Sequence, residues 1–362
     1  GEKSAFGNVY TESGVKIVRA PERYGNPQTW TIVYPNGAMF QGTFSGLLAE
    51  GEGKLVSLAG ETVAEGRFRA GTWKAERSEG DGQPGKTVTV SVTKDGYYRM
   101  VERLSGARSY ENATHMFSVR LPDNWSDKPL EIVEEPNRIS FFYAAPSGRN
   151  LPLVTVKVYD EREWNADPGN PPDNAKLLKA YNGLVYAYIS PGNVQPQGDD
   201  LEEADVYRSM LESSERFAEA FRPRGSGMGL RPEDVERSAK DVWRKFLDIE
   251  QWTLSTAGAY PEGVLLNASD KLRVIALLRD VYDERMAERM FLRQNRPVDG
   301  GYEPIPIDYT SIRWIGDDLQ VERDKTDGSI TVTISGGGVE VRYTLDAQTG
   351  KITDYRVVRS NY

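Results

Sequence analysis

The side chains best suited to chemistry near neutral pH are almost missing from this 362-residue chain. It holds one histidine, His115, and no cysteine. Imidazole is the side chain whose unperturbed titration falls nearest neutrality, and thiolate is a strong nucleophile and soft-metal ligand. Their scarcity weighs against thiol or serine–histidine hydrolysis, thiol redox chemistry and a zinc–cysteine centre. His115 stands in Ala113-Thr-His-Met116, with no nucleophile elbow around it, and is expected at the surface or in a linker. Gly225-Ser-Gly-Met-Gly229 has its serine out of register for such an elbow. The cluster Asp160-Glu161-Arg162-Glu163 offers paired carboxylates of the kind that serve glycoside hydrolysis or hard cations. It carries its own Arg162, so a solvated loop is expected. Asp199-Asp200-Leu-Glu202-Glu203 suits the positive end of a helix. Asp324-Lys-Thr-Asp327-Gly328 opens like a calcium loop, but position 335 is Ser where a bidentate Glu is needed, and an Asp-Gly turn is expected. Gly225–Gly229 and Gly336–Gly338 lack the Gly-Lys-Ser/Thr ending of a phosphate loop. No residue is therefore nominated as catalytic, cofactor-binding or metal-ligating, and no cofactor is expected.

Charge narrows the partners. The net charge is −9, concentrated in residues 110–224, with 12 basic against 19 acidic side chains. Nucleic-acid affinity comes largely from neutralising phosphates, so an acidic body disfavours it and suits a basic protein partner instead. No apolar run approaches the ~18 residues of a transmembrane helix, and no secretory core is present. The chain begins Gly-Glu-Lys-Ser without Met. A removed signal segment and an extracytoplasmic or cell-surface location, with peripheral envelope association, are the expectation. Absence of cysteine fits exported bacterial proteins that avoid disulfides.

The elements that must position any site begin with hairpins. Trp30–Tyr34 is a strand candidate and Pro35-Asn36-Gly37 a turn. A grid follows: Phe40, Gly42, Phe44, Gly46, Gly51 and Gly53, echoed at Ala64, Gly66, Phe68, Gly71 and Trp73. The alternation predicts large rings on one face and bare backbone on the other. Tyr34-Pro-Asn-Gly-Ala-Met-Phe40-Gln-Gly42-Thr-Phe44 resembles a MORN repeat, a short β-hairpin unit, and the resemblance covers Tyr34 to Trp73. Two copies cannot bury their own face, so Val88–Val92 and Tyr97–Val101 are expected to cap them.

From Met116 the pattern changes. Phe117–Leu121, Ile139–Tyr143, Leu153–Tyr159 and Leu184–Ile189 read as strands. Leu201–Arg222 reads as one helix with Met210, Leu211, Phe217, Ala218 and Phe221 on its apolar face. "FSVRLPDNW" and "SERFAEAFR" resemble the bookends of PsbP-like domains, which implies a twisted antiparallel sheet backed by helices.

Arg222–Gly229 reads as a linker. An amphipathic helix from Pro232 to Trp252 follows, then a second helix, N-capped at Ser269 and running through Met290. Strands at Ile330–Ile334, Val339–Leu345 and Ile352–Val358 close the chain. The order of "SDKLRVIALLRDVYDERMAERMF", "YEPIPIDYTSIRWIGDDLQV" and "ISGGGVEVRYTLDAQTGKITDYRVV" resembles IseA-type domains. That likeness covers Glu233 to Val358. It implies an exported inhibitor of cell-wall DL-endopeptidases, which are cysteine peptidases.

The expected architecture is multidomain α+β. A β-hairpin domain spans 1–109, a PsbP-like antiparallel sheet with backing helices 110–224, and a cystatin-like helix-plus-meander domain 225–362. The expected function is non-enzymatic binding of a protein partner at the envelope, such as a cell-wall peptidase. Pro297 through Tyr309 is the stiff connection that would present contacts, with Tyr302, Asp308 and Tyr309 as partner-binding residues. A plain helix-to-strand connection accounts for the same segment. A carboxylate-based glycoside hydrolase or carbohydrate-binding envelope protein and a structural adaptor are the alternatives.

Overall fold

The computed structural model describes residues 2–3, 9–10, 15–19, 29–77, 86–93, 97–167, 171–181, 183–192, 201–224, 260, 264–305, 318–336 and 339–359. They form two compact units, Gly1–Pro223 and Arg224–Tyr362. Both are mostly antiparallel sheet with few helices.

The first unit opens with a seven-stranded meander in which each strand pairs with the next. Its strands are β1 (Glu2–Lys3), β2 (Val9–Tyr10), β3 (Lys16–Arg19), β4 (Trp30–Val33), β5 (Met39–Ser45), β6 (Leu48–Val56) and β7 (Thr62–Phe68). The Pro35-Asn36-Gly37 turn joins β4 to β5, with Gly37 at φ +83°. The aromatic–glycine grid needs a correction. Phe40, Gly42 and Phe44 are two residues apart, so pleating puts them on one face. Gly42 faces Gly53 across β5 and β6. The Phe40 ring lies over both, and a Cβ added at either glycine would come within 2.7 Å of it. The glycines form the floor on which the ring rests, and Phe68 closes edge-on at 5.1 Å.

A second, eight-stranded sheet runs in the order β16-β17-β15-β14-β13-β10-β9-β8. Its members are β8 (Thr72–Arg77), β9 (Lys86–Val92), β10 (Tyr98–Leu104), β13 (Leu130–Glu135), β14 (Arg138–Ala144), β15 (Asn150–Asp160), β16 (Lys176–Tyr181) and β17 (Leu184–Ile189). Val90, Val92, Tyr98 and Met100 share one core with Ile32, Phe40, Leu55 and Phe68. The β9–β10 hairpin thus covers the aromatic face of the meander, as expected. It also pairs through β10 with β13. One sheet therefore spans both sides of residue 109, and the compact division lies between Pro223 and Arg224.

A small third sheet joins β11 (Ser109–Asn112), β12 (Phe117–Arg120) and β18 (Phe221–Pro223). After the short α1 (Glu161–Trp164), the helix expected over Leu201–Arg222 is two helices, α2 (Leu201–Glu212) and α3 (Ser214–Ala220), followed by β18. Trp125 explains the break. Its fully buried indole donates to the Met210 carbonyl and the Ser213 hydroxyl, both at 2.9 Å. These contacts satisfy groups freed at the end of a helix. Phe221 then leaves the helix to pair with Val119.

In the second unit the single helix expected from Ser269 to Met290 is also a pair, α4 (Ala268–Leu278) and α5 (Glu284–Gln294). Asn267, not Ser269, caps α4 in a reciprocal capping box with Asp270. Asp283 caps α5 by accepting from the Met286 amide at 2.7 Å. Its own amide donates to the Ile352 carbonyl. A hairpin of β19 (Asn295–Val298) and β20 (Gly301–Pro304) follows α5. The closing four-stranded sheet is β21 (Asp318–Arg323), β22 (Ile330–Gly336), β23 (Val339–Leu345) and β24 (Ile352–Arg359). It contains the three expected strands and adds β21. Lys351 locks this sheet to the helices by donating to the carbonyls of Arg279 and Asp280. The helix expected over Pro232–Trp252 lies outside the described residues.

Gly53→Ala will lower the unfolding free energy by about 1–3 kcal/mol, the usual range for overpacking, because the buried Phe40 ring has nowhere to go. Gly46→Asn will be close to neutral, since nothing lies within 4 Å of a Cβ there and φ is +62°, a region Asn tolerates. Denaturant unfolding of both variants checks the contrast.

Candidate interaction site

The segment nominated as a stiff connection begins as a built hairpin. α5 ends at Asn295, whose amide side chain donates to the Phe291 carbonyl at 3.0 Å and turns the chain directly into β19. Val298 pairs with Gly301, so Asp299 and Gly300 make the turn, with Gly300 at φ +84°. On the other side, the Tyr302 and Leu266 backbones exchange two hydrogen bonds of 2.8 and 2.9 Å. That approach explains Gly301, where a Cβ would stand 2.2 Å from the Leu266 carbonyl oxygen. The Ile305 amide returns to the Gln294 carbonyl at 2.8 Å and closes the hairpin base onto α5.

Tyr302 is the anchor of this hairpin. Its half-buried ring meets Phe291 edge-on at 5.1 Å. The Lys271 ammonium lies 5.1 Å from the ring centroid and 3.3 Å from the hydroxyl, and pairs with Glu288 at 2.5 Å. Burial works against the charged ammonium, but the bonds to Glu288 and Tyr302 outweigh it and hold its pKa above the ordinary lysine value. β20 is thus tied to α4 through Lys271 and to α5 through Phe291. Beside the exposed Arg296 and Asp299, four large apolar side chains are exposed here: Val298 at 37%, Ile305 at 41%, Leu265 at 37% and, on α5, Leu292 at 42%. Leu265 lies against the turn, within 4 Å of a Cβ built at Gly300 or Gly301. Sequence reasoning missed Leu265 and Val298. Val298 lies within the Pro297–Tyr309 connection without any signal that singles it out, whereas Leu265 is brought there only by the Leu266–Tyr302 bridge. Asp308 and Tyr309 lie outside the described residues.

The second concentration of polar groups is in the core of the first unit, and it overturns the expected surface placement of His115. The imidazole is 1% exposed. Its Nε2 lies 3.0 Å from the Glu135 carbonyl oxygen, which only accepts, so Nε2 is the donor there. The His115 backbone amide donates to Asn112 Oδ1 at 2.6 Å. Asn112 Nδ2 donates to the Tyr110 hydroxyl at 2.9 Å and to Glu134 Oε2 at 2.7 Å. The Tyr98 hydroxyl donates to Glu134 Oε1 at 2.7 Å and accepts from Asn36 Nδ2 at 2.7 Å. Burial pushes the Glu134 carboxyl above the usual range despite its donors, and pushes both phenols well above theirs. These contacts hold imidazole and carboxylate in packed interior.

The other nominated clusters have structural roles. Asp160 caps α1 by accepting from the Glu163 amide at 2.7 Å. Glu203 is buried against Ser147 and Arg149. Asp324 and Asp327 accept amides two residues ahead, as in an Asp-Gly turn. Among the described residues no group of three or more His, Asp or Glu is arranged to hold a metal ion. No described helix is long and apolar enough to cross a membrane.

Tyr302→Ala removes the ring that ties β20 to both helices. Amide exchange at Ile305 and Leu266 will quicken at least tenfold, while β22–β24 keep their protection. The Lys271 contribution is fully present below the unfolded lysine value of about 10.4 and is lost as pH rises through the higher folded value. Hairpin protection, corrected for intrinsic exchange, will therefore hold steady from pH 6 to 9.

Compared with protein-family models, with curated proteins and with solved structures, the chain matches none.

Proposed function

We propose that this chain is a non-enzymatic, extracytoplasmic binding protein of the bacterial cell envelope. Its second unit presents the β19–β20 hairpin and the residues after it to a protein partner. The partner class is a cell-wall cysteine peptidase of the DL-endopeptidase type, which the protein inhibits.

One arrangement supports this reading. The hairpin is held from behind by the Tyr302–Phe291–Lys271 contacts and the Leu266 bridge. Its turn region offers Val298 and Leu265 to solvent. A pre-ordered hairpin with apolar side chains beside its Asp299–Gly300 turn loses little conformational entropy on docking, which is how rigid inhibitory segments gain affinity. Pro297 in β19 has no backbone N–H to donate, which discourages further strand pairing along its edge. Recognition would then rest on side chains. The finer fold likenesses belong to the same proposal. They are MORN-type hairpins over Tyr34 to Trp73, a PsbP-like sheet after Met116 and an IseA-like, cystatin-like second unit. The helix pair, the hairpin and the closing antiparallel sheet, in that order, support the last of these.

The test is a panel of purified cell-wall endopeptidases mixed with the full chain. Stoichiometric complex formation with loss of peptidase activity is the expected result. Val298→Glu will weaken that complex at least tenfold without shifting the melting temperature, because the residue is exposed. Equal affinity of the variant would remove the hairpin from the interface. Release of sugar from cell wall by the protein alone would replace inhibition with glycoside hydrolysis.

A further inference from the structure

In the second unit, α4 carries a buried positive charge without a partner. Arg273 is 7% exposed. Among the described residues its guanidinium has no ion-pair partner, and its Nε and Nη1 are shielded from solvent without a hydrogen bond. Asp270 stands one turn earlier on the same helix face. Its carboxylate is turned to other donors: Oδ2 accepts from the Asn267 amide at 2.8 Å and Oδ1 from the Tyr260 hydroxyl at 3.1 Å. Burial and Asp270 push the Tyr260 phenol well above its ordinary range, and the nearby Arg273 charge acts against them. The same stretch buries Val264, Leu266, Val274 and Leu277 completely, so these polar groups stand in apolar surroundings.

We propose that Arg273 anchors a binding site for a singly charged carboxylate. A buried lysine can shed its proton, but a guanidinium stays charged in a protein. Enclosed without a partner, it is costly to the fold. Native interiors seldom leave such groups unsatisfied, and a bound ion is one of the few explanations when they do. The planar N–H donors of arginine match carboxylate and phosphate oxygens, and both attractions strengthen where water is excluded. Asp270 decides between those two anions. Its negative charge one turn away already offsets part of the Arg273 charge, so a single further negative charge is tolerated and a phosphate dianion is opposed. Because Nε and Nη1 are shielded, entry needs a local opening around α4, and association is expected well below the diffusion limit. A free organic acid and the C-terminus of a peptide present the same group.

Calorimetric titration of the full chain at neutral pH and fixed ionic strength tests the site. The probes are acetate, N-acetylalanine, N-acetylalanine amide and inorganic phosphate. Acetate and N-acetylalanine are expected to saturate one site, and the uncharged amide is expected not to bind. Tighter binding of N-acetylalanine than of acetate assigns the site to a peptide C-terminus, and the reverse or equality assigns it to a free acid. Phosphate is expected to bind at least tenfold more weakly than acetate, and equal affinity would overturn the assignment to a single charge. Arg273→Met keeps an unbranched stem and removes the charge. It is expected to weaken carboxylate binding at least tenfold. In carboxylate-free buffer it is expected to leave the melting temperature unchanged or raised, because an uncompensated buried charge is gone. A purely structural arginine would give a lower one. If Arg273→Met does not fold, hydrogen exchange of the wild type decides. Acetate should then slow exchange of the α4 amides around Leu277 and leave β22–β24 unchanged. Lack of saturable carboxylate binding, full retention of it in Arg273→Met, a lower melting temperature of that variant in carboxylate-free buffer, or α4 exchange indifferent to acetate would overturn the proposal. None of these readouts involves a peptidase, so the two proposals fail independently.

Discussion

Asn36, Tyr98, Glu134 and Asn112 form one hydrogen-bonded chain through the interior of the first unit, linking the β4–β5 turn of the first sheet to strands of the other two. Buried polar groups are costly unless each finds a partner. Here the partners are dispersed in sequence, with Asn36 and Tyr98 62 positions apart and Tyr98 and Glu134 36 apart. None of the sheets can shift against the others without stranding a buried donor or acceptor. Apolar packing alone tolerates such slippage, because dispersion has little direction. The network therefore sets register, while the shared core of Phe40, Phe68, Val90 and Met100 supplies apolar burial between the sheets.

The aromatic–glycine grid obeys the same logic of close approach. A phenylalanine ring over two glycines brings the ring against bare backbone and leaves no room for a methyl group. Leu266 and Gly301 repeat the device in the second unit, where a carbonyl takes the space a side chain would fill. In both places a glycine is required by what lies above it. The hairpin then depends on that contact for its bearing on α4 and α5. Tyr302, nominated as a contact for a partner, also holds the hairpin in place.

Element type was legible wherever periodicity was strong. β10, β14, β15, β17, β22, β23 and β24 lie where alternation or β-branched runs placed strands. β13 was missed because Leu130–Glu135 carries three glutamates, and a polar run carries no strand signal when its acids are buried by partners far along the chain. The two long helices were each expected unbroken, since apolar spacing continues across both breaks. Trp125 and Ile352 interrupt them, and neither is local to the helix it ends.

From composition and pattern alone, the chain's character was determined: α+β modules rich in antiparallel sheet, an acidic net charge and an absence of thiols. Those properties follow from side-chain types and from spacing over a few residues, which the linear order contains. Tertiary structure decided that His115 is interior, that Glu102 and Glu134 share one enclosed face, and that Leu265 joins Val298 at the hairpin turn. Each of those facts depends on residues distant in sequence becoming neighbours. Only the closed set of strand pairings and hydrogen bonds specifies which distances collapse.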